Sequence, residues 1–441
     1  MSRSTVGRAL GGLCSWGFGP GVLGVAAVSV LVAGVALLDV PSAHASGGTS
    51  PYTTLTTVHL GATAEPVGVA VDEVTDTIYT ANNKSNSVSV IDGATNTVTA
   101  TVAVGSGPWG VAVDENTDTV YATSAGAGYV IDGATNTVTG TVTVGEQPFG
   151  VAVDDATDTV YVTNLATGPS TVSVIDGATN TVTGTVTVGV EPHGVAVDDA
   201  TNTVYVANYG SNSVSVIDGA NNAVTSTVPV GTEPFGVAVD DATNTTYATN
   251  DGSNTVSVID GANNTVTATV AVGTDPTGVA VDETTDNVYA TDPGSNTVSV
   301  IDGTNNTVTA TIAVGSNSDP AGLAVDQTTD TIYTANAQSN AVSVIIPATV
   351  NVSPTSGPHG TPVTVSGRGF NPGETVKITY KTGLASPKSV SICSATAGSD
   401  TTYTCSGTIP PTATAGAHTT HKILAKGLTS GIKVTTTFTL T

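Results

Sequence analysis

From residue 53 onward, hydrophobic and polar residues alternate with a period of two, in short runs rich in Val and Thr. Turn sequences such as Asp-Gly and clusters of Asn, Thr and Asp separate these runs. A period of two is typical of strands with one buried face, and Asp-Gly or Asn-rich connections favour tight hairpins. No helical period interrupts the pattern. The chain is therefore predicted to be all-β.

The alternating runs belong to a long tandem repeat. The segment Gly-Val-Ala-Val-Asp recurs with its glycine at 68, 110, 150, 194, 236 and 278, and returns as Gly-Leu-Ala-Val-Asp at 322. Each of the seven units contains four strand-like runs, named A, B, C and D; in the third unit they cover 150–154, 159–164, 171–175 and 181–189. A four-stranded unit repeated about every 40 residues is typical of a β-propeller, in which each blade covers its neighbours. We therefore predict a seven-bladed β-propeller.

The two ends of the repeat indicate how the ring closes. The seventh unit supplies runs A, B and C and then departs at Pro347 without a D run. Residues 53–61, which precede the first A run, match the D run at 97–105 position for position. We expect residues 53–60 to form the outer strand of the seventh blade and so close the ring. Pro229, in a D run, fits an outer position, because proline cannot donate to a strand ladder and belongs on an edge.

The B runs carry a recognisable motif, which reads Tyr161-Val162-Thr163-Asn164 in the third unit. Over residues 53–346, the repeat resembles the YVTN family of surface-layer β-propellers. That resemblance implies a secreted or cell-surface propeller used mostly as a binding or structural module. The second unit departs from the family pattern, since residues 124–128 shorten its connection between B and C.

Residues 348–441 form a second module with a different composition. About seven strand-like runs, near 350–352, 363–365, 376–380, 390–393, 401–405, 421–425 and 432–440, suggest an immunoglobulin-like (Ig-like) β-sandwich. The sequences at 352–357 and 367–374 resemble bacterial Ig-like domains of the IPT/TIG type, which implies a spacer or attachment role. Cys393 and Cys405 flank the turn around Ser399, so we predict a disulfide across one hairpin, worth about 3 kcal/mol.

The N-terminal segment has the features of an export signal. Arg3 and Arg8 precede an apolar run at 21–38, and Ala43-His44-Ala45 follows it. We interpret residues 1–45 as a cleaved signal peptide, with an uncleaved membrane anchor as the alternative, because a spanning helix needs about 20 apolar residues. The protein is thus expected outside the cell or on its surface, with no membrane insertion after cleavage.

Charge separates the two modules. The formal net charge is -25, yet residues 46–346 hold 32 acids and only Lys84 as a base, whereas residues 347–441 hold seven bases and two acids. Such an acidic propeller excludes nucleic acid as a partner. Opposite charges also favour a contact between the propeller and the basic Ig-like domain, in the same molecule or in a neighbour.

Strand direction sorts the acids between the two faces of the propeller. The A-to-B and C-to-D turns should emerge together, on what we name the acidic face, and they hold 24 of the 32 acids. The simplest explanation of these aspartates is that they form turns: Asp before Gly suits a hairpin, and Asp or Asn side chains bond to their own backbone two residues on. No EF-hand spacing occurs, so we expect no cofactor, although loosely gathered carboxylates could bind Ca²⁺ weakly.

One position varies within the otherwise regular unit, between Pro and Gly ahead of run A. Its occupants are Val67, Trp109, Phe149, His193, Phe235, Thr277 and Ala321. The three Trp or Phe residues are the only ones in the propeller, and with His193 they occupy four consecutive blades, where the D-to-A connections should reach the channel mouth. With Glu191 and Glu233 nearby, these rings suit a sugar or a cationic group. Alternatively the rings only plug the channel or pack between blades.

The residues give little support to catalysis. Propellers include lyases and lactonases, but this one has no Cys, no Arg, one Lys, two His and no Gly-x-Ser-x-Gly segment. We therefore predict a binding or scaffold protein that is not an enzyme, whose aromatic-lined channel mouth takes an extracellular glycan, cationic group or protein. The alternative is a lyase or lactonase that uses a carboxylate-bound divalent metal and His193.

Overall fold

A computed structural model describes residues 50–165, 170–383, 388–411 and 420–441. The predicted signal peptide, residues 1–45, lies outside the described residues. The compact unit that contains the described chain extends from Ser46 to Thr441. Among the described residues of this unit, regular structure is β-sheet apart from three single-turn 3-10 helices, at Tyr209–Ser211, Asp251–Ser253 and Pro293–Ser295. No helix among the described residues is long and apolar enough to span a membrane.

Seven antiparallel four-stranded sheets form the predicted seven-bladed propeller, each in the order A-B-C-D. The A strands are Pro66–Asp72 (β2), Val111–Asp114 (β6), Pro148–Asp154 (β10), Pro192–Asp198 (β14), Pro234–Asp240 (β18), Val279–Asp282 (β22) and Pro320–Asp326 (β26). The B strands are Thr77–Asn82 (β3), Thr119–Ser124 (β7), Thr159–Asn164 (β11), Thr203–Asn208 (β15), Thr245–Asn250 (β19), Asn287–Asp292 (β23) and Thr331–Asn336 (β27). The C strands are Ser87–Asp92 (β4), Ala127–Asp132 (β8), Thr171–Asp176 (β12), Ser213–Asp218 (β16), Thr255–Asp260 (β20), Thr297–Asp302 (β24) and Ala341–Pro347 (β28). The D strands are Thr97–Ala103 (β5), Thr137–Thr143 (β9), Thr181–Thr187 (β13), Ala223–Pro229 (β17), Thr265–Ala271 (β21), Thr307–Ala313 (β25) and, from the N-terminal end, Tyr52–His59 (β1).

The ring closes through its N-terminal strand, as predicted. Strand β1 pairs antiparallel with β28, and its register runs from Tyr52 opposite Pro347 to His59 opposite Ala341. The A strands of successive blades contact one another around the channel, and β2 contacts β26 across the closure. The seventh blade is therefore built from both ends of the repeat.

The hydrophobic core lies between blades rather than within one. Tyr79 and Val88 of the first blade pack with Val120 and Ile131 of the second, and all four side chains are at most 1% exposed. Strands B and C are buried on both faces, whereas the D strands are mostly exposed. Burying one such side chain stabilises the fold by about 1.5–3 kcal/mol, so each blade depends on its neighbours.

The abundance of Asn and Asp in the turns has a backbone cause. One Asn or Asp in each A-to-B turn adopts a left-handed conformation, for example Asp76 with φ 52°, and the C-to-D turns repeat this at Asn96 with φ 54°. These two residue types tolerate positive φ better than other residues with a Cβ. The shortened connection of the second blade is a hairpin of Ala125 and Gly126, the latter with φ 83°.

A two-sheet β-sandwich follows the propeller. One sheet contains Asn351–Ser353 (β29), Pro362–Gly367 (β31) and Tyr403–Thr408 (β34). The other contains Ser356–Gly357 (β30), Lys433–Leu440 (β36), Thr420–Gly427 (β35), Thr375–Lys381 (β32) and Ser389–Thr396 (β33), in that order. Both sheets contribute to one core, in which Val365, Ile378 and Phe438 are fully buried.

Cys393 and Cys405 form the predicted disulfide, with their Cα atoms 6.1 Å apart. Its predicted position across one hairpin is wrong, because Cys393 lies on β33 in the five-stranded sheet and Cys405 on β34 in the three-stranded sheet. The chain crosses from one sheet to the other between these strands. The bond therefore links the two sheets of the sandwich.

The sandwich joins the propeller beside the closing strand. Thr53 Oγ1 donates to the Gly369 carbonyl oxygen at 2.7 Å, and the Ala348 N–H donates to the Pro51 carbonyl oxygen at 2.6 Å. Arg368 donates to the Thr329 carbonyl oxygen and lies 3.8 Å from the Asp330 carboxylate. One basic residue of the sandwich thus reaches an A-to-B turn of the propeller.

Candidate functional site

The connections between strands collect on two faces of the propeller. On the acidic face, the Gly93 N–H of a C-to-D turn donates to the Asp76 carbonyl oxygen of an A-to-B turn at 2.8 Å. On the opposite face, the Asn83 N–H of a B-to-C connection donates to the Glu65 carbonyl oxygen of a D-to-A connection at 3.0 Å. We name this second face the aromatic face, because it carries Trp109, Phe149 and Phe235.

The glycine after the variable position fixes how closely the blades approach. A Cβ on Gly150 would lie 2.5 Å from the carbonyl oxygen of His193 in the next blade, and the same contact recurs in every blade. Thr163 Oγ1 donates to that His193 carbonyl at 2.7 Å, and Thr123 Oγ1 donates to the Phe149 carbonyl at 2.6 Å. Strand B of one blade therefore positions the ring of the next.

A sharp turn leads into each variable position. Glu191 and Glu233, which precede a proline, have φ of 52° and 55°. The residue before proline adopts positive φ in all seven blades, and in the second blade it is Gly107, with φ 60°. For a residue with a Cβ this conformation costs roughly 1–2 kcal/mol, so the surrounding contacts must hold it.

The predicted aromatic residues come together as a continuous stack. Ring centroids lie 4.6 Å apart for Trp109 and Phe149, and 4.5 Å apart for Phe149 and His193. His193 also stacks on Tyr209 at 4.7 Å, with 27° between the ring planes. Phe235 packs across the stack, with its plane 71° from that of His193 and its centroid 4.7 Å away. We name these five residues the ring cluster.

The middle rings of the stack have no open face. Phe149 lies between Trp109 and His193, and His193 lies between Phe149 and Tyr209, so both faces of the two middle rings are covered. All five members of the cluster nevertheless keep a part-exposed surface. The three remaining blades carry the smaller Thr277, Ala321 and Val67 at this position. A ligand can therefore meet ring edges and the outer faces of the stack.

Sequence reasoning missed Tyr209. It follows Asn208 at the start of a B-to-C connection, whereas the predicted rings lie at the other kind of connection, from D to A. Trp109 is within such a connection, and Phe149, His193 and Phe235 are the second residues of the A strands that follow it, not loop residues as expected. The signal was present, since Tyr209 is the only aromatic residue directly after the four-residue motif in any of the seven units. The two kinds of connection share a face, which places Tyr209 against His193.

Burial sets the protonation of the ring cluster. It lowers the pKa of His193 to about 4, so the imidazole is neutral at pH 7. Its Nδ1 atom is buried and has no hydrogen-bond partner among the described residues. Burial, followed by the charges of Glu233 and Asp251, raises the pKa of Tyr209 to about 12.

Carboxylates surround the cluster on the side of Tyr209. Glu191 is exposed and Glu233 is part-exposed, and each lies two residues before a ring, His193 or Phe235, just ahead of an A strand. Burial, then the neighbouring Asp275 and Glu233, raises the pKa of Asp251 to about 6. Lys84, the one base of the propeller, pairs with Glu65 at 3.4 Å in the first blade. The ring cluster therefore sits in a negative environment.

The acidic face is organised by its own backbone. Asp72 Oδ1 accepts the N–H groups of Val74 and Thr75, as expected of a turn former. The next residue reaches between blades, since the Glu73 N–H donates to Glu115 Oε1 and the Gln327 N–H donates to Glu73 Oε1, both at 2.9 Å. No group of three metal-ligating side chains occurs in the described parts of the chain.

Comparisons with known proteins agree on the fold. The family profile described as Lactonase, 7-bladed beta-propeller, matches residues 128–244, about a quarter of the chain. The hydrazine synthase of Kuenenia stuttgartiensis is similar in structure, with a TM-score of 0.59 and 19% sequence identity, over 64% of this chain and 96% of that chain. No curated protein matches the sequence. The chain is thus a β-propeller protein that is similar to lactonase-type propellers over residues 128–244.

Proposed function

We propose that this is an extracellular binding protein whose propeller takes a ligand with a cationic group at the ring cluster. The C-terminal sandwich, of the Ig-like type, spaces or attaches the propeller. The observation that carries the proposal is a part-exposed stack of rings in a face whose nearby charges are carboxylates.

Chemistry favours a cation over a sugar. A cationic group is attracted to aromatic rings within about 6 Å, and carboxylates beside the rings strengthen that attraction. A sugar and a cation would both use the open outer faces of Trp109 and Tyr209, because both faces of Phe149 and His193 are covered, but the neighbouring carboxylates attract only the cation electrostatically. Glycan and protein ligands are therefore alternatives that the test below separates.

Several sequence features support an extracellular location. Residues 1–45 have the pattern of a signal peptide, and disulfides such as Cys393–Cys405 persist in oxidising compartments. The repeat resembles the YVTN surface-layer propellers, and the C-terminal module resembles IPT/TIG domains of surface proteins. These features agree with one another on a secreted or surface-retained protein.

The test is calorimetric titration of residues 46–441 with a lysine hexapeptide. Glu233→Gln should weaken binding by about tenfold, since hydrogen bonds and contacts to charged groups contribute about 1.5–3 kcal/mol. The matched control is Glu283→Gln on the acidic face, which makes the same charge change and copies the natural Gln327 of the seventh blade. Equal weakening by both variants, or binding of an N-acetylglucosamine tetramer instead of the peptide, would contradict the proposal.

A second candidate function is hydrolysis of a lactone. The lactonase-type match at 128–244 favours it, because that segment includes Phe149, His193, Tyr209 and Phe235. The described residues do not fit a metal centre, so no metal-dependent step is assigned. Turnover of glucono-δ-lactone by residues 46–441, lost in His193→Gln, would establish this function in place of simple binding.

A further inference from the structure

Five lysines lie on the solvent side of the five-stranded sheet, on a surface that the proposed ligand site does not use. They are Lys377, Lys381, Lys422, Lys426 and Lys433, on strands β32, β35 and β36. The residues that alternate with them point into the core, where Ile378 and Ile423 are fully buried. Because side chains alternate between the two faces of a strand, the lysines share the outer face. We name this surface the lysine face.

Three of these lysines form a row across the sheet. Lys377 lies directly opposite Lys426, and Lys426 lies directly opposite Lys433. Adjacent strands are about 4.8 Å apart, so the row begins from three backbone positions within about 10 Å. Like charges directly opposite one another destabilise a sheet. The row is thus a disadvantage for folding that calls for another explanation.

No described acid neutralises the row. The ion pairs among the described residues are Lys84 with Glu65 and Arg368 with Asp330. The sandwich has two acids of its own, and the buried Glu374 accepts the N–H groups of Asn371 and Ser430. Asp400 accepts the hydroxyl hydrogen of Thr402 at 2.8 Å, in the connection between β33 and β34. The lysine face therefore presents an uncompensated positive charge.

The rest of the lysine face is mainly hydroxylic. Ser394 lies opposite Lys377 and continues the row, and exposed Thr375, Thr435 and Thr437 flank it. Leu424 is the one large apolar side chain among the outward residues of the three strands, and it is only part-exposed. Protein interfaces have an apolar core, which this surface lacks. Its composition suits a partner made of repeated charged groups.

We propose that the lysine face binds an extended anionic polymer, with successive phosphate groups lying across strands β32, β35 and β36. Compact ammonium groups bind phosphate oxygens as point charges, and neighbouring hydroxyls supply further hydrogen bonds. The acidic propeller is repelled by the same polymer, so the contact is confined to the sandwich. This inference names a partner for the proposed attachment role and is independent of the propeller's ligand.

The test measures binding of residues 46–441 to immobilised long-chain inorganic polyphosphate. Replacing Lys377, Lys426 and Lys433 by Gln should lower the affinity by at least about tenfold, and replacing them by Arg should preserve it. The matched control, Thr101→Glu with Thr141→Glu and Thr185→Glu on exposed D strands, makes the same change in net charge and should have little effect. Equal losses in the Gln and Glu variants, or no loss in either, would overturn the proposal.

Two further readouts separate the alternatives. The Gln variant should melt at the same temperature as the parent or higher, because repulsion within the row is relieved; a lower melting temperature would assign the lysines a structural role and count against the proposal. An increase in mass without polymer, lost in the Gln variant, would assign the row to the propeller of a second copy instead. Binding of the lysine hexapeptide should be unchanged in the Gln variant, so failure here is distinguishable from failure at the ring cluster.

Discussion

At the scale of single residues, His193 is both a member of the ring stack and a group with a shifted pKa. It is stacked on both faces, and its buried Nδ1 has no partner among the described residues. Its pKa falls from 6.5 to about 4, so the folded state binds fewer protons than the unfolded state between these values. Stability from the neutral imidazole is therefore present above pH 6.5 and is lost as the pH falls towards 4.

Replacement of His193 by Phe removes this linkage. Relative to the parent, the variant should gain about 2 kcal/mol of unfolding free energy on going from about pH 7.5 to about pH 5. Urea denaturation of both proteins at the two pH values measures the difference, and packing changes common to both conditions cancel. An equal difference at both pH values would show that His193 is not held neutral by burial.

At the scale of elements, the contact of Gly150 with the next blade decides where the rings lie. A Cβ there would meet the His193 carbonyl oxygen at 2.5 Å, which belongs to backbone and cannot move aside cheaply. Gly150→Ala should lower the unfolding free energy by about 1–3 kcal/mol and shift the emission of Trp109. Gly140→Ala is the control, because nothing lies within 4 Å of its Cβ and the first blade has Ala100 there. A neutral Gly150→Ala would contradict the tight approach of blades.

The elements that sequence analysis predicted are those with repeated local signals. Strand period, turn residues and the unmatched D run of 53–61 were sufficient for seven blades and for the closing strand. The pairing of Cys393 with Cys405 was predicted correctly, but the bond links two sheets and does not cross one hairpin. Strand patterns do not show that the consecutive strands β33 and β34 belong to different sheets. For the site, the one variable position revealed four rings. It did not reveal their mutual stacking or Tyr209, since both depend on how two kinds of connection meet in space.

At the scale of the whole molecule, strand β1 joins the first residues of the repeat to its last blade and to the sandwich. It pairs with β28, whose Val342, Val344 and Ile345 are at most 1% exposed, and Thr53 bonds to Gly369. Removing residues 46–61 should expose the β28 edge, lower the denaturation midpoint and promote association through that edge. A chain that begins at Ser50 and keeps β1 is the control. Unchanged cooperative unfolding of the shorter chain would argue against closure by this strand.

Charge is also organised at this scale. The propeller carries -31 over residues 46–346, and the sandwich carries +5 over residues 347–441. The described contacts between the two are mainly hydrogen bonds, with one ion pair at Arg368 and Asp330. Little of this opposite charge is therefore used in the described contacts between the two modules.

Trp109 offers a direct view of the ring cluster, because it is the only tryptophan in residues 46–441 and stacks on Phe149. Its emission should change saturably when lysine hexapeptide is added to residues 46–441, and Phe235→Ala should weaken that response by about tenfold. A glutamate hexapeptide should produce no response. If emission stays constant while calorimetry detects peptide binding, the peptide binds elsewhere, and the ring cluster is a plug of the channel rather than a ligand site.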